Sequence, residues 1–207
     1  MFMPIGTKKI DDNLYAIRNL FVNSYVYDTK DSLIVFDAGI SPIFMHFGFK
    51  KLGLDYNKVS HIFLTHSDFD HTGGLKLFKQ AKIYLSKSEE PMITMQIPRR
   101  LFIYNKKIKN YNLMGDLEIM KIGDTNIKIL YTPGHTVGSS IYIIDDKIVI
   151  GGDTISISRK GEISNFGFIQ NMANKENIET VKKLKSDKFF DNMDIIATGH
   201  HGILKNN

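Results

Sequence analysis

The sequence predicts an α/β protein of two sheets with helices on their outer faces. Three observations carry this reading. Short runs rich in Val, Ile, Tyr and Phe recur along the chain, bounded by Asn, Asp, Thr and Lys. Helix-type spacing follows strand-type runs in both halves. Leu33-Ile34-Val35-Phe36 is apolar without alternation, as a strand covered on both faces must be.

Residues 13–19, 21–28 and 32–37 read as three strands, with Asp28-Thr29-Lys30-Asp31 as a hairpin connection. The third ends in Asp37-Ala38-Gly39, which sets a carboxylate where a strand meets a loop. Ser41-Pro42 has the form of a helix start, a side-chain cap followed by a proline that needs no N–H in the first turn. That helix runs to Leu52, and Gly53 stops it. Residues 59–65 form the next strand, 72–80 a helix and 81–85 a strand, while 86–113 is the least regular segment. Strands follow at 119–122 and 127–131, and 141–144 pairs with 147–150 around Asp145-Asp146. Residues 174–186 have helical spacing through Ile178, Val181 and Leu184, and 195–198 is the last strand.

A length of 207 residues, 43% of them hydrophobic, predicts one domain over residues 1–207 with a substantial core. No apolar run approaches the roughly 20 residues of a membrane helix, and the first residues lack the apolar centre of a signal peptide. The absence of cysteine excludes disulfides, thiolate metal sites and a cysteine nucleophile, and is compatible with a reducing compartment. The expectation is a cytoplasmic protein with no membrane partner. The net charge of +5 is densest from Arg99 and Arg100 through Lys106 and Lys107 to Lys109. A solvated lysine-rich face is the plain reading; a patch for an anionic substrate or nucleic acid is the sharper one.

Chemistry concentrates at residues 65–74, Thr-His-Ser-Asp-Phe-Asp-His-Thr-Gly-Gly. Three further places share its character: His135 in Thr132-Pro133-Gly134-His135-Thr136, Asp153 after Gly151-Gly152, and His200 in Gly199-His200-His201-Gly202. Each follows a strand and has glycine beside it, so the backbone can turn tightly and side chains can converge. Singly, each reads as a turn residue or a hydrogen-bonded histidine. Five of the seven histidines fall in these loops, and neutral imidazole with carboxylate suits zinc, iron or manganese.

These motifs, in this order and together with Asn23-x-Tyr25 and Phe36-Asp37-Ala38-Gly39, resemble the metallo-β-lactamase superfamily over nearly the whole chain. The resemblance implies a four-layer αββα sandwich with a metal site at one edge between the sheets. It implies that His66, Asp68 and His135 hold a first ion, that Asp70, His71 and His200 hold a second, and that Asp153 bridges them. Asp37 would orient a ligand histidine, and His201 would line the site. The ions implied are two divalent metals, zinc first, with iron or manganese as alternatives.

Asp68 departs from the family pattern His-x-His-x-Asp-His, and three readings of it stay open. It replaces histidine as an anionic ligand; it is too short to reach the metal and leaves the first site weak; or it tunes the site for a harder ion. The flavodiiron proteins, a redox branch of the superfamily, carry a glutamate there.

The activity implied is hydrolysis by a metal-bound hydroxide, with Asp70 holding the proton of the nucleophile. The substrate expected is a small ester, thioester or lactone. The alternatives are an iron redox enzyme of the flavodiiron or persulfide dioxygenase type, and a phosphodiesterase or nuclease. Nucleic acid is disfavoured because that branch usually carries extra domains. The hydroxyacylglutathione branch usually has a further C-terminal helical region, which disfavours that substrate in its usual form. Residues 86–113, with Met92, Met95, Ile97, Leu101, Phe102 and Tyr104 around Arg99 and Arg100, read either as a pocket wall or as core packing. The sequence carries no signal for an oligomeric state.

Overall fold

The computed structural model of the protein describes residues 2–206. Strands β1 (Lys8–Lys9), β2 (Leu14–Asn19), β3 (Val22–Asp28), β4 (Leu33–Phe36), β5 (Val59–Phe63), β6 (Lys82–Ser86) and β7 (Tyr111–Met114) form one sheet in that spatial order. It is antiparallel from β1 to β4 and parallel from β4 to β7. The chain then forms β8 (Ile119–Ile122), β9 (Thr125–Tyr131), β10 (Ser140–Ile144) and β11 (Ile148–Ile150), a ribbon of β12 (Ile155–Ile157) with β13 (Ile163–Asn165), and finally β14 (Ile195–Ala197) and β15 (Ile203–Lys205). The second sheet has the order β15-β14-β11-β10-β9-β8, with β14 and β11 parallel.

Alternation along the strands creates the layers. Tyr25, Tyr27, Ile34 and Phe36 face Ile127, Ile129, Tyr142 and Ile144 across the space between the sheets. The intervening Val26, Leu33 and Val35 pack outward against Met45 and Phe49 of helix α1 (Pro42–Leu52). On the other side, Ile141, Ile143 and Ile196 pack against Val181 and Leu184 of a long helix over Asn174–Ser186. The result is the predicted αββα sandwich. Helix α1 starts and ends as its sequence dictates. Ser41 accepts from the Phe44 N–H, and Gly53 closes the helix at φ 69°.

The helix expected over residues 72–80 does not form. A short helix α2 (Phe69–Thr72) ends at once, and only a 3₁₀ turn at Leu75–Leu77 follows. The cause is a competing hydrogen bond: the Gly74 N–H donates to Gly39 O at 3.2 Å, outside its own segment. Gly73 and Gly74 also lie so close to the backbone carbonyls of Ile40 and Ala38 that a Cβ would overlap them. Residues 86–113 divide between the two readings. Met92 and Ile93 in helix α3 (Glu90–Ile93) are fully buried, whereas Leu101 and Phe102 are 86% and 92% exposed. The last helix, Asn174–Ser186, is α4. Among the described residues, no helix is long and apolar enough to cross a membrane.

The two sheets are tied together at one edge. Tyr142 Oη donates to Leu64 O at 3.0 Å, Ser140 N to Thr65 O at 2.9 Å, and Tyr25 Oη to Thr198 O at 2.7 Å. All of these bonds lie at the strand ends from which the histidine loops leave.

Phe49 is fully buried between α1 and the first sheet. Phe49→Ala is expected to cost about 3–5 kcal/mol, read as a lower denaturant midpoint with an unchanged slope.

Candidate metal centre

Asp37 stands just past β4 in the left-handed region, at φ 58°, a conformation that aspartate adopts more readily than most residues. Its carboxylate accepts from Thr65 N at 2.8 Å and from Thr65 Oγ1 at 2.9 Å, and meets His71 Nδ1 at 2.8 Å. One buried side chain thus fixes both ends of the loop that follows β5. A second buried carboxylate, Glu89, fixes the middle. It accepts from Ser67 N (2.8 Å) and Oγ (2.6 Å), Thr136 Oγ1 (2.7 Å) and Gly138 N (3.0 Å). It therefore joins the β5 loop to the loop that carries His135. Burial raises the Glu89 pKa; the hydrogen bonds of Ser67 and Thr136 and the charge of His66 oppose that rise.

The histidines are held in one orientation by their Nδ1 atoms. His71 Nδ1 meets Asp37, His200 Nδ1 donates to Phe21 O at 2.7 Å, and His135 Nδ1 meets Asn171 Oδ1 at 3.1 Å. His66 Nδ1 lies 3.0 Å from Thr65 Oγ1, whose proton is committed to Asp37. All four Nε2 atoms therefore face the same space. His135 reaches it because Gly134 approaches the backbone of Asn177 more closely than a Cβ would allow. Asp153 follows Gly152, which turns at φ 49°.

The seven residues expected as ligands converge. Asp70, His71 and His200 form one group with facing ligand atoms, and His66, Asp68 and His135 form another. Asp153 lies between them. Its Oδ1 is 3.5 Å from His71 Nε2, and its Oδ2 is 3.2 Å from His200 Nε2 and 3.6 Å from His135 Nε2. His201 stands apart, edge-on to Phe166 with ring centroids 5.6 Å apart.

Donor chemistry and unsatisfied atoms together test the fit to a cation. His66 Nε2, His71 Nε2 and Asp153 Oδ1 are buried without a hydrogen-bond partner among the described residues, and they face one another. Three orphaned acceptor sites in one buried space are costly unless a cation or a proton satisfies them. Electrostatics point the same way. Burial opposes charge on Asp153, yet the charges of His200 and His71 hold its carboxyl well below the usual range. Burial likewise opposes charge on His71, but Asp37, Asp153 and Asp70 hold its pKa well above the ordinary value. A bound cation would take the place of that proton.

Asp68 is differently placed. Arg99 Nε donates to both of its oxygens, at 2.8 and 2.9 Å, and Asn105 Nδ2 donates to Oδ1 at 3.1 Å. Asp68 Oδ2 also lies 3.2 Å from His135 Nε2 and 3.6 Å from His66 Nε2. The centre forms the floor of a cavity of about 620 Å³ walled by Phe2, Phe21, Phe69, Ile103, Tyr104 and Phe166. Phe2 stacks on His200 with ring centroids 4.2 Å apart.

Sequence reasoning did not single out Glu89, Asn105 or Asn171. Glu89 sits in Ser-Lys-Ser-Glu-Glu, a pattern shared with solvated acidic turns, and no local signal marks it as buried.

An αββα sandwich with a buried histidine–carboxylate cluster at one sheet edge defines a metal-binding scaffold. The model of the metallo-beta-lactamase superfamily matches residues 17–204, and the chain belongs to that superfamily. A probable metallo-hydrolase of Methanocaldococcus jannaschii is 28% identical over 157 residues, covering 76% of this chain and 64% of its own length. A hydroxyacylglutathione hydrolase of Dictyostelium discoideum is 28% identical over 160 residues, covering 72% of this chain and 50% of its own length. A probable polyketide biosynthesis zinc-dependent hydrolase of Bacillus subtilis is 28% identical over 128 residues, with 60% and 49% covered. The chain thus spans about half to two thirds of the length of these relatives. In structure it is similar to a subclass B3 metallo-beta-lactamase of Bradyrhizobium japonicum, with TM-score 0.74 and 19% identity over 95% of this chain and 78% of that one. That likeness concerns the fold.

In the metal-free protein His200 has its pKa raised to about 9, because Asp153 and Asp70 outweigh burial. A raised folded-state pKa contributes stability that is fully present below the unfolded value of about 6.5 and is lost as pH rises through about 9. The melting temperature of chelator-treated protein is therefore expected to fall between about pH 6.5 and 9. His200→Gln flattens that fall.

Proposed function

We propose that the protein is a metal-dependent hydrolase acting on a small ester, thioester or lactone. One observation carries the reading. Four imidazole Nε2 atoms and three carboxylates converge beneath an apolar cavity, and three of their atoms have no hydrogen-bond partner among the described residues. Asp70, His71, His200 and Asp153 would hold a divalent ion, with His66, Asp68 and His135 as a further donor set. Zinc is the first candidate, because it suits imidazole and carboxylate together and because a relative is named as zinc-dependent. A bound ion supplies Lewis acidity towards water and the scissile carbonyl.

The chain's own residues do the rest. Asp70, 3.3 Å from His200 Nε2, accepts a proton from the attacking water. Asp37 and Phe21 O keep the Nε2 atoms of His71 and His200 turned towards the cavity. Phe2, Phe21 and Phe166 form a wall that fits an apolar acyl or aromatic group and excludes water from the reacting bond.

Protein purified without added metal should contain zinc and turn over at least one member of a panel of esters, thioesters, lactones and phosphodiesters. Chelation should abolish turnover, and zinc should restore it. Asp70→Asn should lower kcat by roughly 10²–10⁴-fold, the usual range for loss of a positioned proton acceptor. Iron with a redox-active spectrum and no hydrolysis would overturn the reading in favour of a redox enzyme. Turnover confined to phosphodiesters would move it to the nuclease class.

A further inference from the structure

The first donor set already contains a cation. The Arg99 guanidinium enters it from the segment before β7, and its side chain is only 11% exposed. Nε donates to both oxygens of Asp68, while Nη2 donates to Gln170 O at 2.6 Å and to His135 Nε2 at 3.3 Å. An imidazole nitrogen that accepts has one lone pair, and it lies in the ring plane. His135 Nδ1 is engaged with Asn171, and Nε2 is crowded by Asp68 Oδ2 at 3.2 Å and by the guanidinium Nη2 at 3.3 Å. A metal ion at this set would need the Nε2 lone pair in the space those two groups already fill.

Charge separates the two sets further. Arg99 compensates the charge of Asp68 in the first set. Asp153 faces both sets, and Asp70 adds a further carboxylate on the side of His71 and His200. A dication entering a site of low dielectric is drawn to the set with uncompensated negative charge and repelled from the one that holds a guanidinium. We propose that Arg99 is the resident cation of the His66–Asp68–His135 set, and that the protein therefore binds one divalent ion, at Asp70, His71, His200 and Asp153. This rests on the reading of the cluster as a metal centre. Arg99 Nη1 is buried without a partner among the described residues, and Arg99 lines the cavity.

The test is zinc stoichiometry, measured by elemental analysis after dialysis against limiting and then excess zinc, with folding checked by circular dichroism. Wild-type protein should hold one ion per chain. Arg99→Met should hold two. His135→Ala should keep the single ion, and His200→Ala should lose it. Two ions in wild type, one ion in Arg99→Met, or loss of the ion in His135→Ala would each overturn the proposal. No ion in any form would instead remove the metal-centre reading on which it rests. Should Arg99→Met fail to fold, Asp68→His tests the same point, since it removes the partner that anchors the guanidinium. Two ions there support the proposal, and one overturns it.

Discussion

The Asp37 carboxylate is the contact on which the centre depends. It lies at the end of a buried parallel strand and binds the backbone and hydroxyl of Thr65 as well as the ring of His71. Through Thr65 it reaches His66, and through the Ala38 N–H, which donates to His71 O at 2.6 Å, the same turn holds the far end of the loop. A buried carboxylate is costly unless its oxygens are filled, and here they are filled by the residues that must be positioned. The cost of burial thereby becomes a constraint on geometry.

Glu89 plays the corresponding part between the β5 loop and the His135 loop. The two carboxylates divide the task. Asp37 acts within the first sheet, while Glu89 joins the first sheet's loop to the second sheet's. The aromatic hydroxyls of Tyr25 and Tyr142 then lock the sheets together at the same edge. With that edge held, three loops present their histidines and a fourth presents Asp153 to one space.

Within that space the two donor sets are alike in residue type and unlike in charge. The second gains a further carboxylate from Asp70. The first is neutralised by a guanidinium that the family pattern does not call for. Exchanging one histidine for Asp68 creates an anionic partner, and Arg99 occupies it. The aspartate and the arginine are best understood as one feature. The same arginine stands on the cavity wall, where an incoming substrate would meet it.

Much of this was legible in the chain itself. The helix from Pro42 to Leu52 was readable with both its ends, because capping and glycine termination are local events. Ten strands were readable because burial imposes a period of two or a continuous apolar run, whereas the short β1, β7, β12, β13 and β15 were not. The four places that supply the convergent residues were readable because each follows a strand and has glycine nearby, and the resemblance to the superfamily implied the seven ligands within them. Beyond those short strands, three things were not. The helix expected after Thr72 is cut short by a bond from Gly74 to Gly39, and a long-range competitor leaves no trace in local spacing. Glu89 looks like any surface acid until the sheets close over it. The role of Asp68 stayed open among three readings because its partner, Arg99, lies 31 residues away in the least regular segment. The sequence by itself determined which residues could bind a cation, since donor chemistry belongs to the side chain. Only the tertiary structure decided which donors are already engaged, because that depends on distances between segments that no local pattern records.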